Sequence, residues 1–159
     1  MRTWITLVAT CVVATSITAM AHDSADPHLG TWTLDLGKSK FDPSTAAPKS
    51  ATQTFEVTPD GMNRLTIQFT AANGTSGTSI MTFKRDGKPY AITNQPNNET
   101  NEVTGVNSRE DRVTLLRAGK VIGHLTSVIS KDGKVMTETR TFTAPSGQSV
   151  HDVAVYDKQ

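Results

Sequence analysis

The chain has 159 residues, and its 16 Lys+Arg against 15 Asp+Glu leave a formal charge of +1. That balance supplies no electrostatic footprint for nucleic acid or anionic lipid. The single cysteine, Cys11, falls in a leading segment expected to be removed, which excludes thiolate catalysis, cysteine-held metals and disulfides from the remainder.

Residues 1–21 read as an export signal. Arg2 provides the basic start, residues 5–17 are apolar with small residues and threonines, and Ala19-Met20-Ala21 presents an A-x-A cleavage pattern. The apolar run is shorter than the ~20 residues a membrane span requires, and no basic cluster follows it. A lipid anchor on Cys11 is rejected, because the residue sits in the middle of the run behind the bulky Thr10. Cleavage after Ala21 leaves 138 of the 159 residues with no membrane anchor, in the periplasm or outside the cell. Residues 22–29 are expected to form a flexible leader and 30–159 one domain, a length that buries a substantial core.

Turn signals then punctuate the chain: Pro59-Asp60-Gly61, Asn73-Gly74, Asp86-Gly87, Ala118-Gly119, Asp132-Gly133 and Pro145-Ser146-Gly147. Most are ~12–14 residues apart, the spacing of a strand plus a tight turn. Asn-Gly and Asp-Gly favour type I′ turns, in which both central residues take positive φ. Polar breaks at residues 94–99 and 108–111 fill the remaining interval.

Between the breaks, residues alternate with a period of two. Trp32, Leu34 and Leu36 share one face, Phe55 and Val57 another, and Leu65, Ile67 and Phe69 a third. Such alternation predicts strands with one buried and one wet face. About ten strands result, and no segment after residue 22 shows a capped helical repeat. Hairpins in series form an up-and-down meander, and closing it into a barrel of about 8–10 strands abolishes the edges. An open sandwich needs longer crossovers, for which only residues 37–50 offer the length. That segment is expected to pack Phe41 across one end of the barrel.

Trp32, Leu34, Phe55, Val57, Leu65, Ile67, Phe69 and Phe83 are predicted to line or fill the interior. Strand 135–143 poses a choice. Met136, Glu138, Arg140 and Phe142 share one face and threonines crowd the other. If the first face is internal, charged groups enter the lumen and mark a polar ligand contact. If it is external, they form a solvated ladder. Both orientations stay open. His124 lies in register with Ile122, Thr126 and Val128, and His151 with Val153 and Val155, but no metal-ligand spacing accompanies either. A copper site at a cleaved N-terminal His22 with His28 is set aside for the same lack of a pattern. Asn73 and Asn98 satisfy the glycosylation pattern, and Asn73 is better explained as a hairpin residue.

The opening Gly30-Thr31-Trp32 resembles the G-x-W triplet of lipocalins. Its extension through Lys38-Ser39-Lys40-Phe41 and the Val153-Ala154-Val155-Tyr156 ending resemble a family of exported bacterial lipocalin-like proteins. The resemblance implies a calycin-type barrel whose tryptophan closes one end under a stacked arginine, for which Arg140 is the candidate. The last strand is also similar to that of intracellular fatty-acid-binding proteins, where an arginine and a tyrosine one residue apart hold a carboxylate. Tyr156 matches the tyrosine, but Ala154 replaces the arginine and no helical lid is present, so that capture does not carry over.

The expected function is therefore non-catalytic binding of a small apolar or amphipathic molecule, with Tyr156, His124, Glu138 and Arg140 as polar lumen candidates and no cofactor or metal. No G-x-S-x-G elbow or phosphate loop suggests catalysis. Two rivals remain: an envelope interaction or stress protein with a filled barrel, and an enzyme using Glu138, Arg140 or His124 as acid–base groups.

Overall fold

The structure is a computed structural model that describes residues 26–43, 47–94 and 99–159. The expected signal segment, its cleavage site and residues 22–25 lie outside the described residues. Ten strands follow in order: β1 (Gly30–Leu34), β2 (Ser50–Val57), β3 (Asn63–Thr70), β4 (Ser76–Phe83), β5 (Asp86–Ala91), β6 (Glu99–Asn107), β7 (Glu110–Arg117), β8 (Lys120–Ile129), β9 (Val135–Thr143) and β10 (Ser149–Lys158). They form a single antiparallel sheet in the order β4-β3-β2-β1-β10-β9-β8-β7-β6-β5. The first and last strands pair, with Trp32 opposite Lys158 and Leu34 opposite Tyr156. The meander thus curls into a nearly closed barrel, as the turn spacing predicts.

The ring is sealed where β4 approaches β5, and the seal is thin. One isolated bridge joins Met81 to Ile92. Around it, Thr93 donates its N–H to the Ile80 carbonyl at 2.9 Å, and Thr93 Oγ1 accepts the Ile80 N–H at 2.9 Å. Asn94 Nδ2 donates to the Thr78 carbonyl at 2.8 Å. Side chains thereby satisfy donors and acceptors that a full ladder would otherwise take.

Most of the glycine-bearing bends do make hairpins, but by another geometry. At Asp60-Gly61, Asn73-Gly74 and Asp132-Gly133 only the glycine has positive φ; Ala118-Gly119 alone has both residues there. The reason is local. Asn73 Oδ1 and Asp132 Oδ1 accept backbone N–H groups two residues on, at 3.0 and 3.1 Å, which holds those residues on the right-handed side. Asp86-Gly87 forms no hairpin tip. It lies at the start of β5, where the register with β6 shifts.

The interior is packed at one end and hollow toward the other. Trp32 and Met136 are fully buried, and Phe83, Ile129 and Val103 are nearly so. Val57 is an exception to its expected place: it is 57 % exposed, because it stands at the mouth of the β2–β3 hairpin beyond the barrel rim. Leu36 is likewise exposed, past the end of β1. The long connection after β1 is tied to β10 by reciprocal Lys40–Val153 backbone bonds of 2.7 Å, and Phe41 packs against the core.

Candidate functional site

A cavity of about 360 Å³ occupies the barrel interior. Phe55, Leu65, Ile67, Phe69 and Phe83 contribute to its wall, all of them predicted interior positions, together with Met81, Val103 and Val113. A second pocket of about 220 Å³ lies under Phe41 and Pro48 and shares Phe69, Leu125, Glu138 and Arg140 with the first. Trp32 and Leu34 belong to the packed core and line neither pocket. The tryptophan's role is structural.

Strand β9 resolves its two-way choice in favour of the lumen: Glu138, Arg140 and Phe142 all line the cavity. Gln53, reaching in from β2, donates its amide to Glu138 Oε2 at 3.1 Å. Burial pushes the Glu138 carboxyl above its ordinary range, offset only in part by Gln53 and the nearby Arg140 charge. Tyr156 is buried beside them, and burial followed by the Glu138 charge raises its hydroxyl pKa further. Arg140 Nη2 lies 2.6 Å from Asp152 Oδ2, with its guanidinium 4.7 Å above the Phe142 ring. Arg140 therefore does not stack on Trp32. Lys158 takes that place, its Nζ 4.8 Å from the indole and donating to the Pro27 carbonyl at 3.0 Å.

Comparison with protein-family profiles, with curated proteins and with solved structures finds no match for this chain. The geometry stands on its own. It is compatible with a calycin-like fold, and an all-strand barrel with an internal space is compatible with ligand binding.

The opposite end is closed by a part of the expected leader. Among the described residues of 22–29, Asp26 to Leu29 are tied down rather than loose, and His28 is 1 % exposed. The Trp32 indole N–H donates to the His28 carbonyl at 2.8 Å. His28 Nδ1 lies 2.9 Å from Asp26 Oδ1, and its Nε2 lies 3.5 Å from Asp111 Oδ2. Arg85 bonds Asp26 Oδ2 through Nη1 and Asp111 Oδ2 through Nε, the latter at 2.8 Å. Burial works to raise the Asp26 pKa, but the bonds from His28 and Arg85 prevail and hold it well below the usual carboxylate range. This network forms the cavity floor, where His28 and Asp111 reach its lining.

Of the predicted polar lumen residues, His124 is placed elsewhere. It is exposed on the outer wall, while Ile122, Leu125 and Ser127 line the cavity. A bulge causes the change of face. Leu115 pairs with Gly123 and Leu116 with Val121, so β8 shifts its parity by one residue before His124. His124 therefore does not join Glu138 and Arg140 in the lumen. His151 also faces outward and bonds Thr141 Oγ1 at 2.9 Å.

Gln53, Ser127, Asp111 and His28 were not among the predicted site residues. Gln53 was legible, since it alternates with Phe55 on β2. Ser127 follows His124 beyond the bulge, and the docking of His28 depends on contacts with Trp32 and Asp111 that no local pattern announces.

Proposed function

We propose that this protein is an exported carrier or sensor that binds one small amphipathic molecule inside the barrel without transforming it. The observation that carries the reading is the unfilled interior. Cavities of ~300–1,000 Å³ with apolar walls and a few convergent polar groups are the usual form of small-molecule sites. At about 360 Å³ this one is at the small end of that range. A filled barrel acting only through its loops has no use for this space, and the polar groups of Gln53, Glu138 and Tyr156 would be costly to bury around nothing.

Native mass spectrometry of protein purified from its own cell envelope tests the proposal. The expected spectrum shows an organic adduct of a few hundred daltons that leaves on denaturation, and a chain beginning at His22. A bare mass, together with no uptake of the lumen probe 1-N-phenylnaphthylamine, refutes ligand binding. A chain retaining residues 1–21 refutes export by cleavage. Ile67→Trp, which places a larger ring into the cavity wall, should abolish probe uptake while the fold persists.

A further inference from the structure

We infer that the head group of the lumen ligand is an uncharged hydrogen-bond donor, a hydroxyl or primary amide, and that a carboxylate is disfavoured. The inference rests on the ligand-binding reading above and narrows it to a class.

The first support is where unsatisfied groups collect. Among the described residues, four buried side-chain atoms have no hydrogen-bond partner: His28 Nε2, Gln53 Oε1, Asp111 Oδ1 and Ser127 Oγ. All four residues line the same cavity. Gln53 is 3 % exposed and Ser127 6 % exposed, so bulk water does not serve them. A buried polar group left unmatched costs ~1–3 kcal/mol, and native proteins keep few of them. Their gathering around one space marks that space as the place where their partner sits.

The second support is the kind of group left over. Gln53 Oε1 and Asp111 Oδ1 only accept, and Ser127 Oγ can do either. The Gln53 amide's donor is already directed at Glu138. These groups also form one stripe. Asp111 pairs with Ser127 across β7 and β8, and Ser127 pairs with Glu138 across β8 and β9. Cross-strand neighbours on one face stand ~4.5–5.5 Å apart, so a single head group meets several acceptors at once. Of the unpartnered atoms, the two whose role is fixed, Gln53 Oε1 and Asp111 Oδ1, are both acceptors that call for a donor.

The third support is charge. Two arginines line the cavity, and each has an acid: Arg140 Nη2 lies 2.6 Å from Asp152 Oδ2, and Arg117 Nη2 lies 3.1 Å from Glu99 Oε1. Against these two cations the lining carries Glu99, Asp111 and Glu138. Glu99 is itself the partner of Arg117, and Asp111 is held by Arg85, so an anionic head would meet no cation without an acid of its own, would face the Glu138 carboxyl, and would have to give up its hydration to do so. A hydroxyl meets no such penalty.

Isothermal titration of the purified, delipidated protein with 1-decanol, decyl methyl ether and sodium decanoate at pH 7 tests the inference. The three have alkyl chains of nearly equal length, and their heads are a donor, an acceptor without a donor, and a charge. Decanol is expected to bind at least tenfold more tightly than either of the others. In a Gln53→Leu/Ser127→Ala double variant that preference should fall below threefold, with the ether's affinity unchanged. Wild-type selectivity alone decides the matter if the double variant does not fold. Ether or decanoate binding as tightly as decanol overturns the donor class and leaves lumen binding intact. The same holds if 1-N-phenylnaphthylamine binds and none of the three does. If neither that probe nor any of the three binds, the lumen-binding reading itself has failed.

Discussion

Replacing Trp32 by phenylalanine tests the way the barrel floor is held. The indole is fully buried, its N–H donates to the His28 carbonyl at 2.8 Å, and Lys158 covers its face. Phenylalanine keeps a ring in place but removes ~50 Å² of buried surface, about 1 kcal/mol at ~25 cal/mol/Å². The void left behind adds about 1 kcal/mol. The orphaned His28 carbonyl adds ~1–3 kcal/mol. W32F should therefore lose about 3–5 kcal/mol. With a urea slope of ~2 kcal/mol/M for a domain of this size, the midpoint should fall by about 2 M with the slope unchanged. Far-UV circular dichroism is the proper probe, because the substitution also removes a tryptophan signal. Hydrogen exchange should rise first at residues 26–29, which the indole clamps. A loss below about 0.5 kcal/mol, or unchanged exchange there, would refute the view that the indole holds the chain before β1 as the floor.

Asp26→Asn should cost ~1–3 kcal/mol at pH 7, since charge-assisted bonds from His28 and Arg85 are lost. The folded pKa of Asp26 is depressed, so its contribution is present above its unfolded value near ~3.9 and disappears as pH falls from there. Thermal melts should therefore show wild type and D26N converging below pH 4; parallel curves would contradict this. Glu138 has the opposite sign. Its folded pKa is raised, so the wild type loses stability as pH rises from ~4.3 through the folded value, and Glu138→Gln should abolish that slope. E138Q melting at or above the wild type at pH 8 is expected, and a uniform loss across pH would count against it. Gly123→Ala should be severe, because its Cβ would lie 2.2 Å from the Thr141 carbonyl oxygen and 2.5 Å from Phe142 Cα. Backbone cannot step aside as a side chain can, so a loss of ~3 kcal/mol or more follows. Gly133→Ala, in a turn with φ +72° and nothing within 4 Å, serves as the milder reference at ~1 kcal/mol. Equal losses for the two would argue against the tight β8–β9 approach.

Regular features were the legible ones. Period-two patterning over β2, β3 and β9 identifies the wall residues Phe55, Leu65, Ile67 and Phe69, because in an unbroken strand every second side chain must point the same way. Parity also groups Glu138 with Arg140 and Phe142. Which side of the sheet that group faces was not legible, since threonines suit either. Breaks in the pattern were where reading failed. The bulge opposite Leu115 and Leu116 moved His124 to the outer wall and brought Leu125 and Ser127 inside. Val57 kept its parity but left the barrel, because burial ends at the rim even where alternation continues.

By itself the sequence determined an antiparallel meander: local sterics at its glycine bends and the alternation between them leave a chain no cheaper way to bury its apolar face. Tertiary structure alone decided what the enclosed space contains. Asp26 and Asp111 are 85 residues apart in sequence and share one guanidinium from Arg85, and Gln53 meets Glu138 across another 85. Such meetings depend on how far the sheet curls and where it closes, quantities set by the summed twist and bulges of all ten strands rather than by any single segment.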